Sequence, residues 1–527
     1  MRIVLVAALA AVLVVSGFAQ KPKIEGVWYG TIGPAETSVE IALSFQRQGN
    51  SWTGTLTGGN GLPIPLKDVT VAGNAISFAI DPPPGQPGQV KVIFRVTLTG
   101  NGSELSGEFA QGRSKIPVKL GRTPKPKLQD AAADVDPNEL LEMMTSFSGP
   151  LSDRPFVPPT TYPAIEYGIR PSRDPVANLI RDIQDNKVQL KFEGEDGYLR
   201  SLLDVLKIPP ESQMAVFSKT SVQGAIIGPS NPRRLYFNDS VAVGFVGGGF
   251  IELAAQDPEQ GTSFYMLPQQ PGDKPLIIER DECLRCHLSR NSLDIPGMLV
   301  RSVYPASSGV PMNQLGSHLL DHRTPLEDRW GGWYISGSAG SMKHLGNAAF
   351  TDAGQPQPLA GNHGSDIVAA MVFDHQMYMM NLITRVGWDF RIVSFLEQAT
   401  AKRSEAIHRQ LRDEVNEFVD YLLFVDEAPL TGKILGSSGF AEKFAALGPV
   451  DTKGRSLRQF DLEHRLMRYP CSFMIYSPAF DALPAEAKNM IYTRMLDVLS
   501  SRFSSADRQA VIEILRETKK DLPQEFN

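Results

Sequence analysis

The stretch Ile24-Glu25-Gly26-Val27-Trp28-Tyr29-Gly30-Thr31-Ile32 alternates in the manner of a strand with one face buried. The pattern repeats downstream. Val39 to Phe45, Trp52 to Leu56, Ile76 to Ile80, Val90 to Leu98, Leu105 to Phe109 and Ile116 to Leu120 all carry the period of two. Turn residues separate them: Gly49-Asn50, Gly58-Gly59-Asn60, Ala72-Gly73-Asn74 and Gly100-Asn101-Gly102. Short strands at this regular spacing predict an antiparallel β-sandwich or barrel over residues 23–122.

Outward from this module, the N-terminus runs Met1-Arg2 and then Ile3 to Val15 without a polar residue, followed by Ser16-Gly17-Phe18-Ala19. A charged start, a short apolar run and small residues before a cleavage point predict a secretory signal peptide over 1–19. The apolar run is shorter than a membrane span, and no later segment is long and apolar enough to be one. On the other side, residues 123–136 are rich in Pro, Ala and charge and read as a linker. A chain of 527 residues is too long for one core, so residues 137–527 form a second, larger domain.

That larger domain reads as α+β. Helices are expected at Val176–Ile183 and Asp196–Leu206. Strands follow at Met214–Phe217, Arg234–Phe237, Val241–Leu253 (broken at Gly247-Gly248-Gly249) and Thr262–Leu267. The last third reads as helical, at Ser365–Val386, Arg403–Phe424, Pro484–Phe503 and Ser505–Thr518, with Ser505 as an N-cap. A net charge of −6 leaves no basic footprint for nucleic acid. Three cysteines exclude a disulfide framework, and the glycine triplet is not a dinucleotide fingerprint.

Two of those cysteines lie in Cys283-Leu284-Arg285-Cys286-His287, the C-x-x-C-H attachment signature of a c-type haem. Thiols three positions apart can each add to a vinyl group on one porphyrin edge, and the adjacent histidine then supplies the proximal ligand. Its second ring nitrogen needs a carbonyl or carboxylate acceptor to fix the tautomer. A structural zinc site, a thioredoxin-like pair and a plain disulfide compete with this reading. Zinc lacks a further pair of ligands, since Cys471 stands alone and reads as a buried thiol.

On this motif the chain resembles the c-type cytochromes, and on Gly26-x-Trp28 its first strand is similar to that of lipocalin-like barrels. The first resemblance implies one covalent haem c on Cys283 and Cys286 with His287 on the iron. Attachment of this kind takes place outside the bacterial inner membrane, in keeping with the leader sequence. The expected function is therefore periplasmic redox chemistry, with electron transfer to a partner protein first. A haem oxidoreductase of peroxidase or oxidase type, acting on a small molecule, and a haem-based sensing module are the alternatives. The second resemblance implies a small-ligand pocket, against which stands a packed β module for docking or stability.

Met298, Met312 and the other histidines are candidates for the distal ligand. His375 has the physical reason: it falls in the apolar stripe of Ile367, Val368, Met371, Val372, Tyr378, Met379, Leu382 and Ile383, with Asp374 and Asn381 at the edges or back. A buried imidazole needs a partner, either iron or a protein group. His318 and His322, beside Asp321 and Arg323, read as a solvated loop, as do His344 and His363. Arg329–Tyr334 reads as an aromatic wall or as core.

Overall fold

The computed structural model describes residues 24–526 apart from 33–38, 50, 59–63, 81–91, 100–101, 112–113, 123–134, 148, 152, 273, 360–363 and 521. The expected signal peptide, most of the linker and His363 therefore lie outside the described residues. The chain separates into two compact units, and the division falls inside the expected linker.

The N-terminal unit is a nearly closed antiparallel β-barrel. Its strands are β1 Gly26–Ile32, β2 Val39–Gln48, β3 Ser51–Gly58, β4 Ile64–Pro65, β5 Lys67–Ala72, β6 Ala75–Ile80, β7 Val92–Thr99, β8 Glu104–Gln111 and β9 Ser114–Gly121. In the sheet they run β4-β3-β2-β1-β9-β8-β7-β6-β5. The two edge strands are thus consecutive in sequence with one residue, Leu66, between them, and that connection forces the sheet to curl. Leu66 N–H donates to the Gly54 carbonyl at 2.9 Å, where a side chain on residue 54 would lie 1.9 Å from the Ser44 carbonyl oxygen.

Inward-facing residues fill the barrel. Trp28, Leu43, Phe45, Phe78, Phe94 and Leu105 are buried in one cluster, and Phe78 and Phe94 stack at 4.7 Å. Trp28 Nε1–H donates to the Ile24 carbonyl at 2.9 Å. The Arg122 guanidinium lies 3.6 Å from the Trp28 ring centroid and donates to the Glu25 carbonyl at 2.8 Å, tying the end of β9 to the start of β1. Strands β4 and β5 carried no sequence expectation: one is two residues long with Pro65, the other a half-exposed six.

The larger unit is built on a second antiparallel sheet. Its strands are β10 Met214–Val216, β11 Arg233–Phe237, β12 Val241–Phe245, β13 Ile251–Asp257, β14 Gly261–Leu267 and β15 Ile278–Glu279, with Trp333–Tyr334 beside β10. The glycine triplet is the turn between β12 and β13, so the expected single strand is two. Before the sheet come helices α1 Pro137–Thr145, α2 Pro175–Gln184 and α3 Leu199–Val205. Asp174 caps α2 by accepting from Val176 and Ala177 N–H at 2.7 and 2.9 Å.

The register sorts the sheet into two faces. Tyr236, Val243, Phe245, Leu253 and Tyr265 share one face and pack in a single cluster with Val176 and Leu179 of α2 and Leu199 and Leu202 of α3. Phe237, Ala242, Gly244, Glu252, Ala254, Gln256, Phe264 and Met266 share the other. Part of that face meets a long helix, α5 Ile367–Thr400, which follows the one-turn helix α4 Leu284–His287. Phe237 lies 5.0 Å from Phe373, and Gln256 donates to Thr384 at 2.8 Å.

From α5 onward the chain is helical: α6 Glu405–Leu422, then Phe440–Ala446, Ala485–Arg502 and Ser505–Thr518. The sequence reading is corrected here in three respects. The expected helix at Ser365–Val386 is 34 residues long, and every residue from Ile367 to Phe390 is buried, so it has no polar back. Asp374 and Asn381, placed at the edges, are each 1 % exposed. The last helix is capped by Ser504, which accepts from Asp507 N–H, and not by Ser505.

Candidate haem-attachment site

Beyond β15 the chain keeps pairing for one residue, with Arg280 N–H donating to the Phe264 carbonyl at 2.8 Å. It then turns into a short 3-10 segment, Asp281–Cys283, which runs straight into α4. One helical turn therefore carries the motif. Cys283 and Cys286, three apart, fall on one side of it, and His287 follows within the same turn. Both thiols are free, with Cys286 exposed and Cys283 half-buried. Burial, reinforced by the charge of Glu252, pushes the Cys283 thiol up to about 12, so the free thiol is protonated at neutral pH.

The His287 imidazole is half-buried, its ring 4.7 Å from Phe264 of β14. Nδ1 lies 2.9 Å from the Gly297 carbonyl oxygen. A carbonyl can only accept, so the proton sits on Nδ1 and the lone pair on Nε2. Nε2 has no hydrogen-bond partner among the described residues. Burial, with the Arg233 guanidinium, holds the ring below the usual histidine range, against the opposing pull of the Gly297 bond and Glu252. A neutral imidazole with a fixed tautomer and one open nitrogen is what metal ligation requires.

The loop behind the motif is closed on itself. While His287 donates to the Gly297 carbonyl, Gly297 N–H donates to the His287 carbonyl at 2.9 Å. Ser292 Oγ, fully buried, lies within hydrogen-bond reach of the carbonyls of His287, Ser289 and Ile295. Thr262 N–H of β14 donates to the Pro296 carbonyl at 3.0 Å. From α5, Arg385 donates to the Leu293 carbonyl at 2.8 Å, and the Asn381 amide bonds the backbone of Met298. The polar neighbours on the sheet are Arg233 and Glu252, paired at 2.9 Å, with Ser221 and Gln223 donating to the other oxygen of Glu252.

His375 lies elsewhere in the bonding scheme. It is fully buried on α5, with Nδ1 2.7 Å from His322 Nδ1 and Nε2 2.7 Å from Ser472 Oγ. Tyr421 and Phe424 stack against its ring at 5.2 and 4.3 Å, and burial holds it down to about 3. Both nitrogens are thus engaged by protein, and the partner that burial demanded is a second histidine and a serine. His322, expected in a solvated loop, is 1 % exposed. It shares its surroundings with Arg329, Trp330 and Asp374, so the aromatic stretch 329–334 is core.

Met298 is half-buried beside Gly297, and Met312 is buried at the head of a 3-10 turn. His318 contacts Tyr304 at 3.3 Å, His344 accepts from Gly346 N–H, His408 pairs with Glu397 and His464 with Asp461. Cys471 is fully buried, and burial pushes its thiol well up. Among the described residues no cluster of three or more His, Cys, Asp or Glu is arranged to hold a metal ion, and no helix is long and apolar enough to cross a membrane.

Gly297, Asn381 and Phe264 carried no functional expectation from the sequence. The bond that Gly297 makes to His287 becomes visible only once the loop closes. No family model, no curated protein and no solved structure matches this chain.

Proposed function

We propose that this is an exported c-type haem protein of periplasmic redox chemistry, with haem c held by thioethers to Cys283 and Cys286 and His287 as the proximal ligand. The observation that carries the reading is the His287 ring. Its Nδ1–H is committed to the Gly297 carbonyl while Nε2 is left for a metal, on the same helical turn as two free thiols. The residues present fit the group: Phe264 offers a flat apolar contact, and Cys286 is exposed, which leaves one edge of the motif open to solvent. The iron, when bound, supplies a one-electron couple. The chain's own part is to hold the ligand tautomer, shield the proximal side and present the open edge to a partner.

Electron transfer to a periplasmic partner protein is the leading use. A second reading, a haem enzyme or sensor with an open distal position, gains from His375, whose two nitrogens are both taken. The absorption spectrum of the ferrous protein with and without carbon monoxide separates the two. Low-spin iron indifferent to carbon monoxide supports electron transfer, and high-spin iron that binds it supports an open site.

A further inference from the structure

We infer that Asn381, two turns along α5 from Asp374, is the positioning residue that sets the donor strength of the His287 ring; this rests on His287 being the proximal ligand. The side-chain amide of Asn381 is 1 % exposed and is spent entirely on one residue of the motif loop. Met298 N–H donates to Asn381 Oδ1 at 2.9 Å, and Asn381 Nδ2 donates to the Met298 carbonyl at 2.8 Å. The amide behaves as a fragment of neighbouring strand, holding both polar groups of Met298 in one plane. The peptide bond on the N-terminal side of Met298 is the one that carries the Gly297 carbonyl. Its orientation is therefore fixed by the same clamp that binds its N–H.

That carbonyl is the acceptor for His287 Nδ1–H at 2.9 Å. A well-aligned bond there gives the imidazole partial anionic character and strengthens Nε2 as a donor, which favours ferric over ferrous iron. The close approach is built in. A Cβ on residue 297 would lie 2.3 Å from Asn381 Oδ1, so only glycine lets the helix and the loop come this near. A helix that is otherwise a rigid core element is thereby wired to the proximal ligand through the paired Asn381–Met298 bonds, the peptide between residues 297 and 298, and the bond from His287 to the Gly297 carbonyl.

The test is the reduction potential of full-length holoprotein, with Asn381→Ala, Asn381→Asp and Gly297→Ala compared with wild type. Asn381→Ala should weaken the preference for ferric iron by up to about tenfold, a rise of about 59 mV for a one-electron couple. Asn381→Asp keeps the acceptor for Met298 N–H and should move the potential less. Gly297→Ala forces the clamp apart with the amide intact, should raise the potential in the same direction, and reads the effect if Asn381→Ala does not accumulate. Gln376→Ala is the control, a fully buried amide on the same helix that donates to the Asn238 carbonyl; it should lower thermal stability at wild-type potential. Asn381→Ala or Gly297→Ala at wild-type potential, changed only in melting temperature, would overturn the inference. Failure of the underlying reading shows separately, as wild-type protein carrying no covalent haem.

Discussion

The two histidines that the sequence singles out are treated in opposite ways by the fold. His287 closes the one-turn helix α4 beyond the edge strand β15, half-buried, with one nitrogen tied to a carbonyl and the other left without a hydrogen-bond partner among the described residues. His375 sits in the fully buried stretch of α5 with both nitrogens tied and two aromatic rings stacked on it. An imidazole whose hydrogen-bonding capacity is exhausted contributes to packing and stability; one that is half-satisfied and oriented is prepared for chemistry.

The contrast can be broken at either end. The largest expected effect is at the motif. Cys283→Ala with Cys286→Ala should abolish covalent haem, seen as loss of haem stain on a denaturing gel, and His287→Ala should destroy the native absorption spectrum while costing the apoprotein no more than about 1 kcal/mol. His375→Ala should do the reverse. It removes two buried hydrogen bonds and leaves a cavity among aromatic rings, about 3 kcal/mol by chemical denaturation, with the haem spectrum unchanged. A spectral change in His375→Ala with little loss of stability would exchange the two roles.

A smaller effect sharpens the comparison by pH. The folded His375 is held at about 3, against 6.5 for the free side chain. A depressed value contributes stability that is complete above 6.5 and is lost as pH falls from there toward 3, because the unfolded chain takes up the proton first. The stability of wild type relative to His375→Gln should therefore shrink by about 1.4 kcal/mol for each pH unit below 6.5. Denaturant titrations of both proteins at several values between pH 4 and about 8 measure it, and a difference that stays flat would mean that the folded His375 takes up its proton at the same pH as the unfolded chain.

What the sequence made legible follows the range of the interaction that fixes each feature. The barrel strands announce themselves because period-two alternation is local, and the proposed attachment motif can be read because its five residues are contiguous. The edge strands β4 and β5 are hidden because they are held by closure of the barrel, through Leu66 and Gly54, and not by their own composition. Helix α5 misleads for a related reason. Reading an apolar stripe presumes a polar back, whereas Asp374, Gln376, Asn381 and Arg385 are all buried and paired with distant segments. Asn381 and Gly297 matter through contacts 83 and 10 residues away in sequence, which no local pattern encodes.

The smallest expected effect concerns the barrel. Its core is its own, closed by Arg122 over Trp28, so proteolysis within 123–134 should release it folded and leave the haem spectrum of the remainder unchanged. A shift in the spectrum on release would assign the barrel a part in the site.

The central claim is that the turn Cys283–His287 holds haem covalently. Purified full-length protein, made in a host with cytochrome c maturation machinery, is denatured, and its haem and metal content are measured on the same sample. The account predicts one haem per chain that survives denaturation and runs with the polypeptide. Colourless protein with both thiols free to react, or with stoichiometric zinc in place of iron, would contradict it.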